Sequence, residues 1–171
     1  MKRVENAGFT LMELLITVAL AAILLGIGVP AMTQFHASIS AEATRNRLMR
    51  EVRFARSQAI DLSQTVVICA LDSDNKCGGS ATDGLTIFID SNNNQALDVG
   101  EEVLQVAESY GTGKVKLNTT ALRFTPEGMI TGQNGSLYFC SNDSNYVSGI
   151  IVSRGGSVRF ALDSETTSCP I

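Results

Sequence analysis

From Phe9 to Pro30 the chain runs 22 residues with only Thr10, Glu13 and Thr17 interrupting an apolar composition. As a helix rising about 1.5 Å per residue, that run is ~33 Å long. A bilayer core is roughly 30 Å thick, so the run can span it. A helix that is apolar all round needs lipid or protein on every side. Glu13 is the exception within it. A carboxylate at the centre of a spanning helix costs roughly 2.5–3.5 kcal/mol on insertion scales. Glu13 lies about 6 Å along the axis from Phe9. Two plain accounts exist. The side chain can snorkel to the interface or take up a proton, or Thr10 and Glu13 can form a capping box at S/T-x-x-E spacing. A third account supplies a partner. Cleavage after Gly8 creates a new α-amine on Phe9, and that amine on a neighbouring copy or relative could pair with Glu13. Such a pair specifies register where apolar packing alone does not.

Lys2 and Arg3 ahead of the run, with Ala19-Leu20-Ala21 inside it, also fit the outline of a secretory signal. Glu13 inside the apolar region argues against that reading, as does continuation of the run to Val29. No basic residue other than Lys2 and Arg3 precedes Arg45. The positive-inside rule then puts the N-terminus in the cytoplasm and the C-terminal part across the membrane. The remainder of the 171 residues suffices for one globular domain. Removing Lys2, Arg3 and Glu5 with a short leader turns 13 basic and 17 acidic residues into 11 and 16, a net of −5. An acidic domain is a poor non-specific binder of nucleic acid.

Cys69, Cys77, Cys140 and Cys169 all follow the apolar run. In an exported domain an even count suggests disulfides, and four cysteines allow three pairings. Proximity favours Cys69–Cys77 and Cys140–Cys169. No pair has C-x-x-C spacing and His36 is the only histidine, which argues against zinc.

Beyond Pro30 the helix is expected to resume, kinked where proline removes a backbone donor. Leu48, Val52, Ala55, Ala59 and Leu62 recur at helical spacing as an apolar stripe. Arg45, Arg47, Arg50, Arg53 and Arg56 lie in the same segment, with Glu42, Glu51 and Asp61 as partners on a solvated face; the alternative is contact with neighbouring subunits or anionic headgroups at the membrane end. The expectation is one helix from about Phe9 to Leu62. Short β-rich runs follow: 65–71, 85–90, 102–107, 115–117, 122–125, 128–131, 136–140, 149–153 and 157–162. Their spacing predicts an antiparallel meander whose one face receives the helix stripe.

Asp90, Asn92, Asn94, Asp98 and Glu101 fall at positions 1, 3, 5, 9 and 12 of an EF-hand-type loop, a candidate calcium set. Gln95 replaces the expected glycine, and the flanks read as strands. A hairpin loop of Asx-turns explains the same residues. No Ser/His/Asp, Cys/His or phosphate-loop constellation is visible, so no enzymatic activity is expected, and His36 is expected at an exposed or membrane-edge position.

Gly8-Phe9-Thr10-Leu11-Met12-Glu13-Leu14, after a leader with Lys2 and Arg3, resembles the class III signal of type IV pilins and pseudopilins. Pro30 fits the proline of many pilin helices. The segment Arg53-Phe54-Ala55-Arg56-Ser57-Gln58-Ala59-Ile60 is similar to one in the GspH/FimT/FimU group of minor pilins and pseudopilins. So are Phe88-Ile89-Asp90 with Asp98–Glu102, Phe124-Thr125-Pro126-Glu127-Gly128, Phe139–Asn142 and Ile150–Gly156. Ser168-Cys169-Pro170 resembles the FimU-type end, in which a late cysteine pairs with one on a preceding strand.

The resemblance implies an α+β pilin fold, with a long N-terminal helix packed on an antiparallel sheet domain. It implies a cleaved leader 1–8, a membrane and filament-core helix 9–30, an amphipathic continuation 31–63 and a periplasmic sheet domain 64–171. Prepilin peptidase would cut between Gly8 and Phe9 and methylate the new amine. Phe9 and Glu13 would direct assembly with other minor and major pilins or pseudopilins. The location implied is the inner membrane of a Gram-negative bacterium, then the filament at the cell surface. Three roles share this pattern: an assembly-priming minor pilin, a GspH-type pseudopilin of type II secretion, and a FimT-type DNA-binding pilin. Some FimT-like relatives bind DNA through arginines near the C-terminal strands, in a Gly-Arg-x-Arg arrangement. Here the matching residues are Gly156-Ser157-Val158-Arg159, with Arg154 nearby, so one arginine is missing. Losing a phosphate contact, on a chain of net −5, argues against DNA.

Overall fold

The first helix, α1 (Leu11–Leu62), is 52 residues long and its backbone stays helical through Pro30. It belongs to a computed structural model that describes residues 10–111, 113–142 and 146–166, apart from the side chains of 27–31, 33, 34 and 163. The chain divides into two units, 1–36 and 37–171.

In the second unit, Leu48, Val52, Ala55 and Ala59 are fully buried. They repeat every three or four residues and so share one helix face. Leu62, expected to continue the stripe, is instead 40% exposed. The helix has ended there. Gln64 N–H donates to Ala59 O and Ser63 N–H to Ile60 O, with Ser63 at φ +52°. This is a Schellman stop with serine in the left-handed position that glycine usually takes.

Eight strands follow: β1 (Val66–Cys69), β2 (Thr86–Ile89), β3 (Val103–Val106), β4 (Gly113–Leu117), β5 (Leu122–Phe124), β6 (Gly135–Ser141), β7 (Val147–Val152) and β8 (Val158–Phe160). All their pairings are antiparallel. They do not form one meander. Two four-stranded sheets form, in the orders β3-β2-β1-β5 and β4-β6-β7-β8. The chain starts the second sheet at β4 and returns with β5 to the free edge of β1. Leu122 and Phe124 of β5 are buried in the same core as Val66 and Ile68 of β1. The expected strand at 128–131 reduces to one bridge between Phe124 and Ile130. Gly128 at φ +74° turns the chain back instead.

Inward residues of both sheets meet the helix stripe in one core: Ile68, Ile87 and Phe124 from the first, Leu137, Phe139 and Ile150 from the second. Strand β1 is buried at every position. Its other face joins Val67 and Cys69 to Phe88, under Leu71, Cys77 and Leu97. The unbroken Val-Val-Ile-Cys run fits a strand covered on both sides. The Cys69–Cys77 disulfide closes this cover.

Arg56 departs from the expected solvated face. Its Nε donates to Gly128 O at 2.9 Å and an Nη to Gly155 O at 3.2 Å. It therefore ties the helix to the turn after β5 and the turn before β8. Those turns touch: a Cβ at Gly156 would lie 1.9 Å from Gly128 O, and Gly156 sits at φ +76°. At Gly155 a Cβ would meet only Ser153 Oγ, at 3.9 Å. Left-handed backbone alone costs an L-residue roughly 1–2 kcal/mol. Gly156→Ala is therefore expected to lower unfolding free energy by about 2 kcal/mol or more in chemical denaturation. Gly155→Ala should stay within about 0.5 kcal/mol, as surface substitutions do.

Candidate functional site

The described part of the first unit carries almost nothing but exposed apolar side chains. Leu11, Met12, Leu14, Leu15, Ile23 and Leu24 are each more than half exposed. Thr10 caps the helix: Glu13 N–H donates to Thr10 Oγ1 at 3.2 Å, satisfying one of the free amides of a helix start. Thr17 returns its hydroxyl to Leu14 O at 2.9 Å. The Glu13 carboxylate is exposed. It makes no hydrogen bond or ion pair among the described residues. Half of a capping box is thus present, and the acid itself stays unpaired on an apolar helix. Gly8 and Phe9, the predicted cleavage site, lie outside the described residues. Among the described residues no helix is long and apolar enough to cross a membrane. His36 is exposed, as expected, and its ring meets Phe35 edge-on at 6.4 Å.

In the second unit most of the arginines have defined tasks. Arg45 pairs with Glu42 at 3.7 Å and lies over the Phe160 ring at 4.2 Å. Arg47 binds the buried Glu51 at 2.9 Å and donates to the carbonyls of Glu108 and Ser109. Tyr110 adds its hydroxyl to the other Glu51 oxygen. This cluster ties the chain that crosses from β3 to β4 onto the helix. The sequence predicts Glu51 as an arginine partner on a solvated face; it is instead 4% exposed, and Tyr110, which helps bury it, is too far along the chain to give a local signal. Arg50 and Arg53 remain exposed.

The loop between β2 and β3 brings the calcium candidates together but commits their oxygens to N–H donors. Asp90, fully buried, accepts from Asn94 N–H and Gln95 N–H. Glu101 accepts from Ser91 N–H and Asp98 N–H. Asn92 and Asn94 turn their amide N–H groups to Asp98, which holds its carboxyl below the usual value. This is the Asx-turn arrangement, which serves the backbone.

Arg154 and Arg159, the DNA candidates, are exposed but engaged. Arg159 forms a two-pronged ion pair with Glu165 at 2.8 and 2.9 Å. That bond holds the Glu165 carboxyl at about 2. Arg154 Nε donates to Gly132 O at 3.0 Å. Cys140 is disulfide-bonded; Cys169, its predicted partner, lies outside the described residues.

The helix, the two antiparallel sheets and the unpaired acid on an apolar run define a pilin-like protein. The comparisons narrow this. The profile described as Type II transport protein GspH matches residues 44–156, and the prokaryotic N-terminal methylation motif matches residues 4–29. The chain belongs to the GspH family. A crystal structure of the type IV minor pilin FimU from Pseudomonas aeruginosa is similar in fold, with TM-score 0.58 and 19% identity over 76% of this chain and 94% of that one. A second crystal form of FimU gives 0.54 and 19% over 72% and 94%. The minor pseudopilin EpsH of the Vibrio cholerae type 2 secretion system gives 0.51 and 12% over 71% and 96%. A comparison with curated proteins found no match.

Burial raises the Glu51 carboxyl above its ordinary 4.5, against the pull of Tyr110 and Arg47. The folded state therefore binds the proton more tightly than the unfolded chain. The stability linked to this group is complete below pH 4.5 and declines as pH rises through the folded value. Unfolding free energy measured against pH should fall more steeply above pH 4.5 for the native protein than for Glu51→Gln. Equal slopes would place Glu51 outside this linkage.

Proposed function

We propose that this chain is a non-enzymatic minor pilin of the FimU type, anchored in the inner membrane by the run from Phe9 to Pro30. Prepilin peptidase cleaves it after Gly8 and methylates the Phe9 amine. The mature subunit enters a type IV pilus with other minor and major pilins and primes or supports assembly. One observation supports the reading most directly: Glu13 is exposed and, among the described residues, without a partner on an apolar stretch of helix. An acid in that setting is stable when a cation arrives with the neighbouring helix, and an α-amine at Phe9 of the neighbour is such a cation. The match to the methylation motif over 4–29 supports the same chemistry.

A second reading is a pseudopilin of type II secretion, favoured by the description of the matching family and by the EpsH likeness. Both use the same anchored helix. Deleting the gene separates them: lost surface pili support the pilus role, whereas intact pili with a secretion defect support the pseudopilin. The DNA reading gains no support from Arg159, whose charge is already matched by Glu165.

Glu13→Ala is expected to leave membrane fractionation unchanged and to reduce recovery in sheared filaments by about tenfold or more, since ~1.4 kcal/mol is a factor of ten. Recovery equal to the native protein would remove the docking role of Glu13.

A further inference from the structure

Register fixes what the second sheet carries on the side away from the core. Residues directly opposite each other in an antiparallel ladder share a face. Val115, Leu137, Phe139 and Ile150 face the core with the helix stripe, so the alternate residues of the same strands face outward. One outward row crosses three strands as Lys116, Tyr138 and Gly149, and the next row begins with Lys114. Ile151 lies on the same face. A Cβ at Gly149 would lie 2.7 Å from Tyr138 Cδ1 and 3.2 Å from Cε1. The ring therefore lies against the glycine, and Tyr138 stays half-buried on the inner strand β6. Lys114 is exposed and Lys116 half-buried. Neither lysine has an ion-pair or hydrogen-bond partner among the described residues. Asp83 lines a groove with them, and Arg159 on this face is already matched by Glu165. The two lysines thus leave a positive excess here, on a chain of net charge −4.

The loop between β2 and β3 carries the opposite charge. Asp98, Glu101 and Glu102 lie close together in it, and no lysine or arginine occurs between Lys76 and Lys114. The turn from Asp98 to Glu101 is closed by Glu101 N–H donating to Asp98 O at 3.1 Å, with Gly100 at φ +100°. The Glu101 carboxylate braces it by accepting from Ser91 and Asp98 N–H. Asp98 and Glu102 are exposed, and Glu102 has no hydrogen-bond or ion-pair partner among the described residues. Val99, at the tip of the turn, is fully exposed. A single exposed valine is ordinary on a protein surface. One held on a braced turn among carboxylates is preorganised, so docking it orders little further chain.

We propose that the outer face of the second sheet docks the Asp98–Glu102 turn of a second copy of this chain. Val99 packs on Tyr138 and Ile151, while the carboxylates of Asp98 and Glu102 face Lys114 and Lys116. Opposite charge selects the partner and fixes the register of such a contact. It names a second copy as occupant because one chain carries both halves. The two patches differ, so the contact is heterologous and joins copies head to tail, into a ring or a helix. The inference goes beyond the minor-pilin reading and does not need leader cleavage, so its failure leaves that reading standing.

The test uses the full chain in detergent micelles, with the photo-cross-linker p-benzoyl-phenylalanine in place of Val99. Protein carrying it is mixed with isotopically labelled native protein and irradiated, and the joined peptides are read by mass spectrometry. Mixed-isotope cross-links from position 99 to the segments holding Lys114, Lys116, Tyr138 and Ile151 are expected. Lys114→Glu with Lys116→Glu in the labelled protein should lower their yield about tenfold or more, since ~1.4 kcal/mol is a factor of ten. Arg50→Glu with Arg53→Glu makes the same change of net charge at two exposed helix positions and should leave the yield unchanged. Cross-links that stay within one chain, or that reach another surface, would overturn the proposal. So would an equal loss in both charge variants, or no loss in either.

Discussion

The buried face of α1 is the contact on which the domain depends. Leu48, Val52, Ala55 and Ala59 are the meeting ground of two sheets that share no strand pairing with each other. Burying such side chains contributes about 1.5–3 kcal/mol for each large apolar residue. Ala55 and Ala59 share this core with Phe124 and Phe139. Around this stripe the polar residues act as fasteners. Arg56 holds two turns at the end of the helix, and Arg47 with Glu51 holds the crossing between sheets. A single helix thus organises both halves of the sheet domain.

The same helix has a different character in its first unit. There the apolar side chains have no protein cover among the described residues, and the one acid has no counter-charge. A soluble fold rarely leaves so much apolar surface in view. The arrangement makes sense for a chain that exchanges a lipid environment for a bundle of like helices. On the proposed reading, Glu13 would favour one register among many that apolar packing leaves nearly equal.

Much of this was legible in the sequence because it was periodic. The stripe spacing fixed the helix face, and every strand except the one expected at 128–131 formed close to its predicted position. The misreadings were non-local. Nothing near Leu122–Phe124 announces that this segment pairs with β1, more than fifty residues earlier, and so splits a meander into two sheets. Leu62 kept the spacing of the stripe, but Ser63 had already taken a left-handed turn that serine seldom signals. Arg56 looked like a surface charge because its acceptors, Gly128 O and Gly155 O, are carbonyls brought from far along the chain. In the acidic loop, whose spacing fits both a cation set and Asx-turns, amides of the loop itself donate to the side-chain oxygens.

The central claim is that the apolar helix is the mature N-terminus of a filament subunit, freed by cleavage between Gly8 and Phe9. Mass spectrometry of the protein purified from cells tests this most directly. The account predicts a first peptide that begins with N-methylated Phe9. A chain beginning at Ala22, as an ordinary secretory signal would leave it, would contradict the account.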